Sequence, residues 1–317
     1  MTQISVIVPA YNVERFLPAT LESIIAQTFE DWECVVVDDA STDGTLTEAE
    51  RLAAADPRIR VLPVRHGGVS AARNAGMRAS DPKAPYVTFM DADDVWIPGA
   101  LDTLVGLLRE NPDAIGAHGV ADFIDESGRP LQPGEFAERG RRRPAIVNGR
   151  LEELSLAAPT GFSTLIAGTA IFPPGLLLVR REAYCRAGAF DETLAAGEDW
   201  EMLVRLSRLG DFTFTPDILV GYRRHATNAG ASSMAPAQAH YAYCQAFHSR
   251  LNSPAQRRTA RQAWRINQQR RMADLWREAR SGPTRNRPAV LARMAVTAVR
   301  LAEGRPRPVV RRDPPPW

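Results

Sequence analysis

Short β-branched runs alternate with stretches of helical period through the first hundred residues, and few folds accommodate that pattern. Residues 4–8 (ISVIV) read as a strand ending at Pro9. Residues 19–27 have helical spacing, with Leu17, Leu21, Ile24 and Ile25 on one side. Residues 33–37 (ECVVV) read as a second strand. Ser41-Thr42-Asp43-Gly44 is turn chemistry and opens a helix over 45–55. A third strand is expected at 60–64, a helix at 69–78 and a fourth strand at 85–90. Strand and helix at this spacing build βαβ units, and hence an α/β fold around a mainly parallel sheet. Ligands of such sheets sit beyond the carboxyl ends of the strands. Functional weight therefore falls on Pro9-Ala10-Tyr11-Asn12, Asp38-Asp39-Ala40-Ser41 and Asp91-Ala92-Asp93-Asp94.

The later chain is less regular. Residues 100–109 form an amphipathic helix stopped by Asn111-Pro112. Residues 126–150 are rich in Gly, Pro and Arg and read as a long loop. Further strands are expected at 175–179, 212–215 and 218–222, and helices at 182–187 and from Glu198. The longest apolar stretch, 162–179, is broken by Pro173 and Pro174, so it reads as core rather than a membrane span. The start of the chain lacks a basic, signal-like region, and its three cysteines have no metal or disulfide spacing. Both features lead to a cytoplasmic expectation. Charge is divided sharply. From Pro236 onward there are 17 arginines against 4 acidic residues, net +13, whereas the first 235 residues hold 22 basic and 33 acidic residues, net −11. The division at 234/235 separates an acidic body from an Arg-rich helical extension that ends in a Pro-rich, disorder-prone tail.

Three acids in VTFMDADD follow a buried-looking strand. Hard oxygen ligands there suit Mg²⁺ or Mn²⁺ held together with a substrate phosphate. The plainer reading is solvated carboxylates, and Asp94 is best read as a cap on the turn toward Pro98. Asp38-Asp39 allows an N-cap with an Asx-turn, a carboxylate for the N–H edge of a base, or a receiver-type acidic pair. Lys83 lies on the wrong side of the fourth strand for the receiver reading. There is no GxGxxG after the first strand and no GxxxxGK[ST], so neither usual glycine signature for phosphate is present. Arg73, in GVSAARNAG, is a candidate phosphate partner or a surface arginine. Gly197-Glu198-Asp199-Trp200 opens a helix. Its acids suit the helix dipole, and they equally suit a general base at a helix start. In that reading Glu198 and Trp200 face an acceptor, with Trp200 stacked on a sugar; otherwise Trp200 is core.

Seven segments taken together, ISVIVPAYN, LESIIAQTFEDWECVVVDDASTDGT, GVSAARNAG, YVTFMDADD, GAFDE, GEDWE and YRRH, resemble glycosyltransferase family 2 in order and spacing across residues 4–225. The resemblance implies a GT-A fold, with a nucleotide-binding half at 1–105 and an acceptor-binding half at 106–234. It implies inverting transfer from a nucleotide-sugar, usually a UDP-sugar, to a glycan, lipid-linked or small-molecule acceptor in bacterial glycoconjugate synthesis. By that resemblance Pro9, Ala10, Tyr11 and Asn12 line the nucleotide site and Asp39 accepts from the base. Arg73 lies near the diphosphate, and Asp91 with Ala92 contacts ribose or metal. Asp93 binds a Mg²⁺ or Mn²⁺ ion, with His225 near it, and Asp199 is the catalytic base. A GT-A-like module that binds nucleotide or glycan without turnover is the alternative, and no nucleic-acid partner is expected. The 235–317 extension lies outside the resemblance. Its Leu251, Ala263, Trp264, Ile266, Met272, Leu275 and Trp276 permit packing or a homodimer. Its arginines permit docking on an anionic membrane, or packing on the acidic body.

Overall fold

The computed structural model describes residues 2–194, 196–226, 247, 249–250, 252–281 and 287–303. Its first half follows the alternation closely. Strands β1 (Ile4–Ala10), β2 (Trp32–Asp38), β3 (Ile59–Pro63) and β4 (Tyr86–Phe89) are joined by helices α1 (Leu17–Ile25), α2 (Thr45–Ala55) and α3 (Val69–Ala79). The Val/Ile runs of β1 and β2 are buried along nearly their whole length, as strands covered on both faces must be. Parallel pairing sets Ala10 opposite Asp38 and Ile7 opposite Phe89, so these strand ends share one edge.

The sheet then crosses into the second half of the chain. Next come β5 (Val95–Trp96), α4 (Ala100–Glu110), β6 (Gly116–Ile124), α5 (Glu135–Arg142), β7 (Pro144–Val147), β8 (Arg150–Glu153) and α6 (Phe162–Leu165). They are followed by β9 (Leu177–Arg180), α7 (Arg181–Ala187), α8 (Glu198–Leu206) and β10 (Phe212–Arg223). Strand order is β3-β2-β1-β4-β9-β6-β10-β5, with β9 and β5 antiparallel to their neighbours. The halves interlock, because β5 leaves the first half to pair with β10 at the far edge.

Two expectations need correction. Residues 126–150 are not a long loop; they contain α5, β7 and the turn into β8. Polar composition hides the anchors there. Phe136 stacks on Phe123 at 4.3 Å, and Ala137 is buried. Buried Arg143 lies on the Phe214 ring and donates to the carbonyls of Ser155 and Ala158. The two strands expected at 212–222 are one strand with a break in register between Phe214 and Ile218. Pro216 lacks an N–H, so a bulge carries the strand past it.

The extension forms α9 (Pro254–Ser281) and α10 (Arg287–Glu303). Ala260, Ala263 and Trp264 of α9 are buried and belong to the main core, which answers the packing question for that stretch. Trp276, by contrast, is 54% exposed. Leu251 and the Pro-rich end lie outside the described residues. No helix among the described residues is long and apolar enough to cross a membrane.

Gly76 decides how closely α3 lies on the sheet. A Cβ there would sit 2.4 Å from Ile7 Cγ2 and 2.9 Å from Val37 Cγ2. Gly76→Ala gains helix propensity but must push α3 off β1 and β2. It is expected to destabilise the fold by about 1–3 kcal/mol, since overpacking outweighs propensity. A denaturation midpoint equal to or above wild type would contradict this.

Candidate active site

The functional candidates gather at the carboxyl edge of the parallel strands. The β1 exit turns through Asn12, whose φ is +52°. Asn12 Oδ1 accepts the N–H of Thr42 at 2.8 Å, tying the β1 and β2 exits together. Tyr11 stays 45% exposed and packs against His66 at 4.5 Å. Asp38 Oδ2 accepts from the Ser41 N–H at 3.3 Å, the short-range turn expected of it. Asp39 is buried, and its oxygens accept the N–H groups of Gly67 and Gly68 at 2.7 and 2.9 Å. It thus fixes the turn into α3; Oδ2 also meets His66 Nδ1 at 3.0 Å, whereas Oδ1 keeps a lone pair beyond the Gly67 contact.

Arg73 projects from α3 and is only 2% exposed. Its guanidinium donates to Asp91 Oδ1 and Glu198 Oε1, both at 2.8 Å. One cation therefore joins the β4 exit to the start of α8. Burial opposes its charge, but Asp91, Glu198 and Asp199 together outweigh burial and raise its pKa. Asn74, the next residue, donates to Phe190 O and Glu192 Oε1 and receives the Phe190 N–H. That clamp holds the segment leading into α8. GVSAARNAG contained this signal, although no role for Asn74 follows from spacing alone.

The acids of the β4 exit take three different places. Asp91 faces Arg73. Asp93 Oδ2 lies 2.8 Å from His225 Nε2, with the His225 ring packed on Phe16 at 4.4 Å. Asp94 is fully buried and does not cap a turn toward Pro98; its Oδ1 accepts the Arg223 N–H at 2.9 Å. Burial and the neighbouring Asp93 and Asp91 push the Asp94 pKa well up, with the Arg223 N–H opposing. The pKa of Asp91 is also raised, by burial first, against the pull of Arg73. Arg223 itself donates to Asp93 O at 2.7 Å and to Glu126 O at 3.0 Å. YRRH carried that role unseen, since two adjacent arginines do not reveal which one is buried. Ala92 is held by Thr20, whose hydroxyl donates to its carbonyl at 2.9 Å.

Asp199 stands in the first turn of α8, after Gly197 with φ +78°, a left-handed turn that favours glycine. Its Oδ1 accepts the Trp200 N–H at 2.6 Å. Apolar side chains including Phe89, Phe190 and Met202 lie behind it. Burial, then the charge of Glu198, raises its pKa to about 6, with Arg73 opposing. Trp200 is buried, and its Nε1–H donates to Leu165 O at 2.7 Å. The position makes it an anchor for the start of α8 rather than a sugar platform. Glu198 is likewise occupied by Arg73.

The residues fit a divalent cation. Asp93 pairs with His225 at 2.8 Å, which places a carboxylate oxygen and an imidazole nitrogen, both metal-ligand atoms, side by side. Carboxylates with raised pKa values are those a nearby cation would relieve. Among the described residues there is no group of three or more potential protein ligands. Such a site suits an ion completed by substrate phosphate and water.

A mostly parallel sheet, an acid-rich exit from β4 and an acidic helix start at α8 define the class of α/β protein. The chain belongs to glycosyl transferase family 2, whose profile matches residues 5–184. It is 27% identical over 234 residues to an uncharacterized glycosyltransferase of Haemophilus influenzae, covering 72% of this chain and 67% of that protein. Over 109 residues it is 32% identical to an Escherichia coli glucosyltransferase, WfgD, named for UDP-Glc and α-D-GlcNAc-diphosphoundecaprenol; 34% of this chain and 42% of that one are covered. The match spans 34% of a Rickettsia felis glycosyltransferase, so the chain corresponds to only part of several curated relatives. In structure it is similar to Staphylococcus aureus TarS 1–349 with UDP-GlcNAc (TM-score 0.69, 18% identity, 95% and 82% covered). A mannosyltransferase of Pyrobaculum calidifontis with GDP-Man and Mn²⁺ gives TM-score 0.60, 20% identity and 95% and 87% coverage. The fold is GT-A.

Two outcomes follow. Arg73→Met leaves Asp91 and Glu198 without their shared cation and is expected to cost about 3 kcal/mol, read from denaturant midpoints. An unchanged midpoint would show that the carboxylates do not depend on it. Asp199 has a folded pKa above its unfolded value, so the folded state holds its proton longer. The resulting stability is fully present below the unfolded pKa near 4 and is lost as pH rises through about 6. Asp199→Asn should therefore melt above wild type at pH 7.5, with the difference shrinking toward pH 4. A difference independent of pH would refute the assignment.

Proposed function

We propose that the chain is an inverting glycosyltransferase that moves a sugar from a nucleoside-diphosphate donor, probed first with UDP-sugars, to an acceptor hydroxyl. The observation that carries this reading is the half-buried Asp199, poised near pH 6 and linked through Arg73 and Glu198 to the Asp91 exit. A base must be ionised at working pH yet basic enough to take a proton, and this environment supplies both conditions. Asp199 removes the acceptor proton as the hydroxyl oxygen bonds to the anomeric carbon. The bond from that carbon to the diphosphate breaks, and its electron pair leaves with the nucleoside diphosphate. A single displacement from the opposite face inverts configuration.

Pro9, Ala10, Tyr11 and Asn12 form the nucleotide side, with Asp39 toward the base and Asp91 and Ala92 toward the ribose and diphosphate. Asp93 with His225, and Asp91 beside them, would hold Mg²⁺ or Mn²⁺, which would offset charge on the departing diphosphate. Arg73 acts by holding Asp91 and Glu198 in place, since its guanidinium is already engaged by both. The UDP-Glc, UDP-GlcNAc and GDP-Man of its relatives support nucleotide-sugar use, and the E. coli relative supports a lipid-linked acceptor class in bacterial glycoconjugate assembly.

The test is nucleoside-diphosphate release from a panel of UDP- and GDP-sugars with and without Mn²⁺, followed by mass spectrometry of products. Asp93→Ala should lose metal-stimulated donor binding and turnover. Asp199→Asn should bind donor normally and lose at least about a hundredfold in transfer. The wild-type rate should fall below an apparent pKa near 6. Transfer by Asp199→Asn at wild-type rate would remove Asp199 as the base. Donor binding without turnover across the panel would favour a binding module.

A further inference from the structure

We propose that the α9–α10 hairpin docks the protein on an anionic lipid surface through the outward face of α10. Leu291, Ala292, Ala295, Val296 and Val299 recur at helical spacing and so share one face. All five are exposed, and Leu291, Val296 and Val299 are 51–58% exposed. The opposite face, with Val290 and Thr297, is buried. Thus α10 spends one side on the protein and turns a second apolar side to water. A helix with such a face, bordered along one flank by Arg293 and Arg300, is suited to lie in a bilayer interface.

Charge selects the occupant. The two helices carry 11 arginines against 3 acidic residues. Arg271 sits near Arg293 and Arg300, and burial followed by these like charges lowers its pKa. Arg293 also pairs with Glu278, yet the hairpin keeps a large positive excess. A second copy would bring the same positive hairpin and meet repulsion. An anionic headgroup layer offers counter-charge and an apolar interior together.

The mounting gives the contact a consequence. Helix α9 packs on α6, and Leu165 of α6 accepts the indole N–H of Trp200, next to Asp199. A docked hairpin would therefore present the acceptor half of the fold to the lipid surface. The inference does not depend on turnover, and lipid binding is the readout that supports it.

The full chain is sedimented with phosphatidylcholine vesicles, with or without phosphatidylglycerol, and compared with Val296→Glu/Val299→Glu. Both positions are exposed and outside the catalytic machinery, so donor hydrolysis should be unchanged, and circular dichroism checks the fold. The expected result is binding only to the anionic vesicles, weakened by salt and at least about tenfold weaker in the double variant. Three results would overturn the proposal: no binding, equal binding to neutral vesicles, or equal binding by the double variant. A lipid-independent dimer abolished by the double variant, without vesicle binding, would assign the face to self-association and also overturn it.

Discussion

One buried guanidinium organises the site. Arg73 reaches Asp91, just beyond the end of β4, and Glu198, which opens α8, although these lie 18 and 125 residues away in sequence. Without a shared cation, two carboxylates brought so close in a low-dielectric setting would repel each other. With it, the β4 exit and the start of α8 are tied together by one residue. Gly76 sets where that cation stands, because the absence of a Cβ lets α3 sit against Ile7 and Val37.

A second tie works at the other side of the acid cluster. Asp94 holds the backbone of Arg223, and the Arg223 side chain holds the carbonyls of Asp93 and Glu126. This exchange fixes the end of β10 against the β4 exit and brings His225 to Asp93. The two outer acids are thus held by arginines and the middle one faces an imidazole. Of the three, Asp93 is the one whose carboxylate meets an imidazole, at 2.8 Å.

The first four strands were legible because each is a short run rich in β-branched, aliphatic or aromatic residues between turn residues. Their exits were legible for the same reason, since a parallel sheet assigns ligands to one edge. Residues 126–150 were not, because Phe136 and Arg143 gain their order from Phe123 and Phe214, partners remote or invisible to local composition. Asp94 misled in a related way. A carboxylate before a turn reads as a cap, and only the tertiary approach of β10 shows that its partner is the Arg223 N–H. Trp200 likewise shows its buried role only when α6 is placed beside it. The local pattern established which residues were polar and where strands ended; it did not reveal which charges face one another.

The electrostatic state of the site then takes on meaning. Asp91, Asp94 and Asp199 all have raised pKa values, and burial is the first cause in each case. A fold seeking stability alone would replace such groups with apolar side chains, since desolvated carboxylates weaken the folded state at neutral pH. Their cost is uneven, however. Asp94 serves the backbone of β10 and has no need to ionise. Asp91 lies where a cation and diphosphate would relieve it. Asp199 has apolar side chains behind it and Glu198 beside it, so its proton affinity rises without any metal. The three buried carboxylates thereby differ in what each touches: Asp91 the Arg73 guanidinium, Asp94 the Arg223 N–H, and Asp199 the Trp200 N–H.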